Sequence, residues 1–218
     1  NEQGRTDHVA NTMPSPYYHF DGVSDNVNCG ATVADDLGNG NYSVHYRCSQ
    51  ESTNSGEQYI LSKQDAGANY YGWRFGFSNG VIRTSIHGTG AAVEHNESTD
   101  YRDGKIHDYI FTFNSDQTEL KTYVDGVLIS TSDKSAAGAT NPAAATIIGA
   151  SYTGSSQEFV GDIHNVKIYN TVLTADEVKE LYSGASVPFK YKGASQTELV
   201  TNGTFTGNAT GWTLEGNW

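Results

Sequence analysis

Arg83, Ser85 and His87 stand at alternate positions, so on an extended strand their side chains share one face. An imidazole can act as a base near neutral pH, and Tyr71 or Tyr109 could supply a phenol beside it. A sugar-binding site asks for less: an aromatic platform and a few planar polar donors. Tyr70, Tyr71 and Trp73 form the densest aromatic cluster of the chain, with Arg74 next and His87 downstream. Tyr70, Tyr71, Trp73, Arg74 and His87 are therefore the candidate ligand-binding residues. The same tyrosines suit cross-strand pairs, and Trp73 also suits a core. Loop tips at 51–56 and 88–100 are alternative sites, because sandwich loops often carry function.

A second constellation offers hard oxygens. Asp21, Asp25 and Asn26 lie on one tight connection around Gly22, and calcium takes carboxylate, amide and carbonyl oxygens on such turns. The competing reading is that these residues cap their own backbone. Gly76-Phe77-Ser78-Asn79-Gly80 has the spacing of a nucleophile elbow, but that chemistry needs a strand running into a helix. Here a second alternating strand follows, so a hairpin is expected. The sequence contains no His-Glu-x-x-His, which excludes zincin chemistry.

The elements that must position these groups read as strands. Val44, Tyr46 and Cys48 alternate on one face, as do Tyr109, Phe111 and Phe113. Trp73–Phe77 meets Val81–Ile86 across Asn79-Gly80, and Leu120–Val124 meets Val127–Ile129 across Asp125-Gly126. Such dipeptides tolerate positive φ and mark tight hairpins. Tyr17–Phe20, Tyr59–Leu61, Ile147-Ile148 and Phe159–Tyr169 supply further strands, the last with a bulge expected near His164-Asn165. Thr174 and Glu177 form a capping box, and Leu173 with Val178 a hydrophobic staple. The short helix so started, with Val178, Leu181 and Tyr182 as its apolar stripe, is expected to close a sandwich edge.

The chain has 218 residues, 24 glycines and 14 tyrosines, which fits many short strands and turns. Its formal net charge of −12 gains nothing from phosphate, so neither nucleic acid nor membrane insertion is expected. Acidity is compatible with neutral sugars and with calcium. Cys29 and Cys48 match no zinc or redox spacing, and leave both one disulfide and two buried thiols open. Residues 1–16 read as a polar linker, 17–184 as one all-β domain, and 185–218 as a linker and the cut-off start of a further β module.

Tyr18-His19-Phe20-Asp21-Gly22-Val23-Ser24-Asp25, Tyr123-Val124-Asp125-Gly126, Phe159-Val160-Gly161-Asp162-Ile163 through Tyr169, and Leu173-Thr174-Ala175-Asp176-Glu177-Val178 follow one another in a familiar order. They resemble the laminin G-like jelly rolls of the concanavalin A-like superfamily. The resemblance implies a two-sheet antiparallel sandwich with one short C-terminal helix. It implies that the first and last strands are neighbours, which would bring Asp162 toward Asp21 and Asp25 and make a structural calcium set. His164 and Asn165 stand where that family commonly has acidic residues. Retaining glycosidases of the superfamily carry Glu-x-Asp-x-x-Glu on one strand, and no Glu-x-Asp occurs here. Glu158 and Asp162 are four apart but fall at the start of a strand, outside any cleft.

These readings combine into one expectation. The chain is a non-catalytic module that binds a glycan or cell-surface receptor, within a larger multidomain or oligomeric extracellular, cell-surface or virion protein such as a phage tail. The alternatives are a ligand-free spacer domain and a polysaccharide lyase or hydrolase on the same fold.

Overall fold

A computed structural model describes residues 16–34, 40–53, 55–65, 71–114, 118–138, 140, 143–151 and 157–183. The chain divides into two compact units, Asn1–Ala185 and Ser186–Trp218, and every described residue belongs to the first. Tyr70, most of the expected N-terminal linker and the expected C-terminal module lie outside the described residues.

The strands are β1 (Tyr18–Asp21), β2 (Val27–Asn28), β3 (Tyr42–Gln50), β4 (Glu57–Gln64), β5 (Gly72–Ser78) and β6 (Val81–His87). They continue with β7 (Val93–Asp100), β8 (His107–Asn114), β9 (Glu119–Val124), β10 (Val127–Asp133), β11 (Thr146–Ile148) and β12 (Val160–Tyr169). Sheet A runs β1-β12-β3-β8-β9-β10 and sheet B runs β2-β11-β4-β5-β6-β7. Every strand pair is antiparallel. This is the two-sheet jelly-roll sandwich that the alternation and the resemblance imply, with β1 beside β12.

Period-2 alternation builds the core between the sheets. Val44, Tyr46 and Cys48 face inward from β3, and Tyr109, Phe111 and Phe113 from β8. Trp73, Phe75 and Phe77 meet them from β5. Phe75 lies 5.0 Å from Phe111 and Phe77 lies 5.2 Å from Tyr109, centroid to centroid, so aromatic pairs join the two layers. Both hairpins have left-handed central residues, Asn79 and Gly80 at φ 51° and 85°, Asp125 and Gly126 at 50° and 77°. The β12 register shifts between Ile163 and Asn165. That bulge at His164 lets Ile163, Val166 and Ile168 all meet the core.

The helix α1 (Ala175–Ser183) begins with the expected box. The Thr174 amide donates to Glu177 Oε2 at 2.9 Å, and the Glu177 amide donates to Thr174 Oγ1 at 3.3 Å. Leu173 and Val178 bury against Ile110 and Tyr123. Those two residues point outward from the middle of sheet A, so the helix covers a sheet face and not the sandwich edge. Tyr182 does not join the apolar stripe. It is 47% exposed, and its ring lies against the hairpin at Gly126.

One further expectation changes, and of the two cysteine readings the unpaired one holds. Residues 93–100, expected as a loop, form β7, a sheet edge whose inward positions run Val93, His95 and Glu97, so that only one of them is apolar and no apolar alternation shows. Cys29 and Cys48 are both free thiols, and burial pushes both above the usual thiol range.

Candidate functional site

With α1 seated on sheet A, the outer face of sheet B is left as a broad polar surface. Its residues come in rungs across the strands. Tyr59, Gly76, Arg83 and Asn96 form one rung, and Ser62, Arg74, Ser85 and Glu94 the next. His87 follows opposite Gly72. Alternation sends these side chains away from the core-facing Trp73, Phe75, Ile82 and Ile86. Gly76 has no room for a side chain, since a Cβ would stand 2.1 Å from the Gln58 carbonyl oxygen. The Tyr59 hydroxyl and the Arg83 guanidinium meet across it.

Arg83 organises the first rung. Its Nε donates to the Tyr59 hydroxyl at 3.1 Å and its Nη1 to Asn96 Oδ1 at 3.2 Å. Its Nη2 lies 3.0 Å from Glu57 Oε1 and 2.7 Å from Glu94 Oε2. Arg74 organises the second. Its Nη1 donates to Gln157 Oε1 at 3.1 Å and its Nη2 to Ser85 Oγ at 3.3 Å, with Glu94 Oε1 at 3.9 Å. Gln157 in turn donates from Nε2 to Glu57 Oε2 at 2.6 Å. His87 Nε2 stands 3.6 Å from Glu94 Oε1.

The cluster is recessed. The arginine side chains are only 9% and 11% exposed, whereas Glu57 and Glu94 at the rim are 30% and 39% exposed. Burial pushes the Tyr59 phenol up to about 12. Burial also lowers His87, and the Arg74 charge lowers it further, so its imidazole is neutral at pH 7. Burial works against the Arg83 charge, but Tyr59, Glu57 and Glu94 outweigh it and hold the guanidinium above its usual value. Paired, immobilised arginines and carboxylates of this kind present fixed donors and acceptors to a polyhydroxylated ligand.

The structure treats the sequence candidates unequally. Arg74 and His87 belong to the face, and Arg83 and Ser85 share it with them. Trp73 does not: it is fully buried in the core, because its neighbour Arg74 takes the outward position. Tyr71 is half-buried just before β5, where its carbonyl accepts from the Asp65 amide at 2.9 Å. Tyr109 is a core residue and offers no phenol to the face. Tyr59, Glu57 and Gln157 were not among the candidates, and Glu94 fell only within the alternative segment 88–100. Strand alternation from Arg83 could have pointed to Tyr59 only with the β4–β5 register in hand.

The acidic turn is self-contained. Asp21 Oδ1 accepts from the Val23 amide at 2.9 Å, and Asp25 Oδ2 accepts from the Asp21 amide at 3.0 Å. Asp162 faces His19, 2.8 Å away, in place of Asp21, because β1 and β12 pair His19 with Asp162. Among the described residues no three His, Cys, Asp or Glu side chains converge at ion-holding distance. The carboxylate set expected for calcium does not assemble at Asp21, Asp25 and Asp162. The hydrogen bond to Asp162 raises the exposed His19 imidazole, and the Asp162, Glu51 and Asp21 charges add to it against the opposing effect of burial.

A family model for laminin G domains of the concanavalin A-like lectin/glucanases superfamily matches residues 21–179, and the chain belongs to that family. No curated protein matches the sequence. Among solved structures, the chain is similar to the CBM40 domain of Ruminococcus gnavus IT-sialidase bound to alpha2,3 sialyllactose. The TM-score is 0.61 at 15% identity, over 77% of this chain and 98% of that one. It is also similar to the botulinum neurotoxin serotype D binding domain, with a TM-score of 0.60 at 17% identity over 80% and 44% of the two chains. For the NanB sialidase from Streptococcus pneumoniae the values are 0.59 and 14%, over 75% and 27%. At these identities the likeness shows the fold. No helix among the described residues is long and apolar enough to cross a membrane.

Proposed function

We propose that this chain is a non-catalytic carbohydrate-binding module that takes its sugar on the outer face of sheet B. The observation that carries the reading is the Arg74–Arg83–Glu57–Glu94 cluster, held on adjacent strands and backed by Tyr59 and Gln157. Sheet A gives its outer face to a structural helix, whereas sheet B carries the buried Arg74 and the half-buried Arg83 on its own. Ion pairs add little net stability whether exposed or buried, so such a cluster fits recognition better than folding. The fold neighbours include a domain seen with sialyllactose and a toxin binding domain, and both support a binding role. In this reading the module works outside the cytoplasm, on a surface where glycans are displayed.

The test is a glycan array probed with the wild-type chain and with Arg83→Ala. The wild type binds a subset of glycans, and the variant loses at least tenfold in affinity for them while keeping its circular dichroism spectrum. A wild-type chain that binds nothing on the array would overturn the sugar-binding reading. Release of unsaturated or reducing sugar ends from a polysaccharide panel would replace binding with catalysis.

A further inference from the structure

The two oxygens of the Glu94 carboxylate are used differently. Oε2 takes Arg83 Nη2 at 2.7 Å. Oε1 lies 3.9 Å from Arg74 Nη2 and 3.6 Å from His87 Nε2, beyond hydrogen-bond length from both. Glu94 is exposed at the rim, so Oε1 is an acceptor open to a ligand hydroxyl. His87 stands beside it. Its side chain is 14% exposed, and its Nε2 is buried with no hydrogen-bond partner among the described residues. Across β5 it faces Gly72, which has no side chain to offer. The carboxylate oxygen that this ring nitrogen faces is Glu94 Oε1.

Protonation of His87 changes the competition for that oxygen. An imidazolium carries N–H on both ring nitrogens, and a charged donor makes a shorter and stronger bond to a carboxylate than a neutral one. From 3.6 Å, Nε2 needs to close by less than about 1 Å to reach such a bond. The charges around the ring are Arg74 on β5, Arg83 on β6 and Glu94 on β7. Both guanidinium groups stay charged at every pH the protein meets. Lys134, beyond β10, also feels Glu94 and is protonated below pH 7. The imidazole is the member of this set that gains its charge in mild acid. Resting on the sugar-binding reading above, we infer that His87 is an acid-operated switch of the sheet B face: its imidazolium takes Glu94 Oε1 from the sugar, so that the glycan is released as the pH falls.

The sugar binds the form in which His87 is neutral. Burial, with the Arg74 charge behind it, lowers the folded imidazole below 6.5, so binding is full above that pH and is lost as pH falls through the lowered value. The experiment measures affinity for a glycan that the array selects, at pH 7.0 and pH 5.0 and constant ionic strength. Wild type, His87→Gln and Glu94→Gln are compared. The readout is the ratio of the two affinities within each chain, so a change in absolute affinity does not enter. Wild type binds about tenfold more weakly at pH 5.0, the order expected for one lost hydrogen bond to a charged acceptor. His87→Gln has no charge to gain, and Glu94→Gln has no carboxylate for the imidazolium to take, so the ratio falls toward one in both. In wild type without glycan, the NMR signals of the His87 ring and the Glu94 carboxylate carbon titrate with a shared midpoint below pH 6.5. Equal wild-type affinity at the two pH values, tighter binding at pH 5.0, or a fall of the same size in either variant overturns this inference and leaves sugar binding standing. Absence of binding to every glycan at both pH values removes the sugar-binding reading and this one with it. If His87→Gln does not fold, Glu94→Gln and the NMR titration still decide, and separate midpoints for the ring and the carboxylate overturn the switch.

Discussion

The Arg74 guanidinium carbon lies over the Tyr59 ring, 4.5 Å from its centroid. The ring is fully buried, so the attraction acts without water between the partners, where such pairs reach about 2 kcal/mol. The Tyr59 hydroxyl donates to Glu57 Oε2 at 3.1 Å and accepts from Arg83. Tyr59 thereby ties both arginines to one strand. Tyr59→Phe keeps the ring and loses the hydroxyl, so it is expected to cost about 1–2 kcal/mol in chemical denaturation and to weaken glycan binding. Tyr59→Leu also loses the ring and should cost more on both measures. Equal stability of wild type and Tyr59→Phe would show that the hydroxyl fixes nothing.

The capping box should matter for stability and not for binding. Thr174→Ala removes the acceptor of the Glu177 amide. The expected loss is about 1 kcal/mol, or about 2–4 °C in Tm for a chain of this size. The glycan profile should not change, since α1 sits on sheet A. A calorimetric scan and an array on the same preparation check both halves.

His87 gives the face a pH dependence with a definite sign. Its folded pKa lies below the unfolded value of 6.5, so the unfolded chain binds more protons between the two. The stability it contributes is present above pH 6.5 and is lost as pH falls through the lowered value. Denaturation curves from pH 7.5 to 4.5 should therefore decline more steeply for wild type than for His87→Gln. His19 is shifted the other way, and the paired comparison cancels it.

Calcium should have little effect. Asp21 and Asp25 bind their own turn, and Asp162 binds His19. Thermal melts in millimolar calcium and in chelator are expected to coincide. A rise of several degrees with calcium would mean that an ion binds the native state.

Much of the fold was legible because its signals are local. Asn79-Gly80, Asp125-Gly126 and the Thr174/Glu177 pair each act within a few residues, and each forms as read. The bulge at His164 announced itself as a break in alternation. β7 was not legible, because an edge strand with His95 and Glu97 among its inward positions shows no apolar period. The site was half legible. Arg83, Ser85 and His87 share a strand, so their common face follows from parity. Glu57, Tyr59, Glu94 and Gln157 come from segments whose meeting depends on cross-strand register. Trp73 and Arg74 were grouped by closeness in sequence, although neighbours on a strand point to opposite faces.

Backbone-amide chemical-shift mapping by NMR, with a glycan that the array selects, tests where the sugar sits. The shifts should concentrate at residues 57–59, 74–76, 83–87 and 94–96. Shifts concentrated around α1 and the outer side of sheet A, or at the turn holding Asp21 and Asp25, would contradict the account.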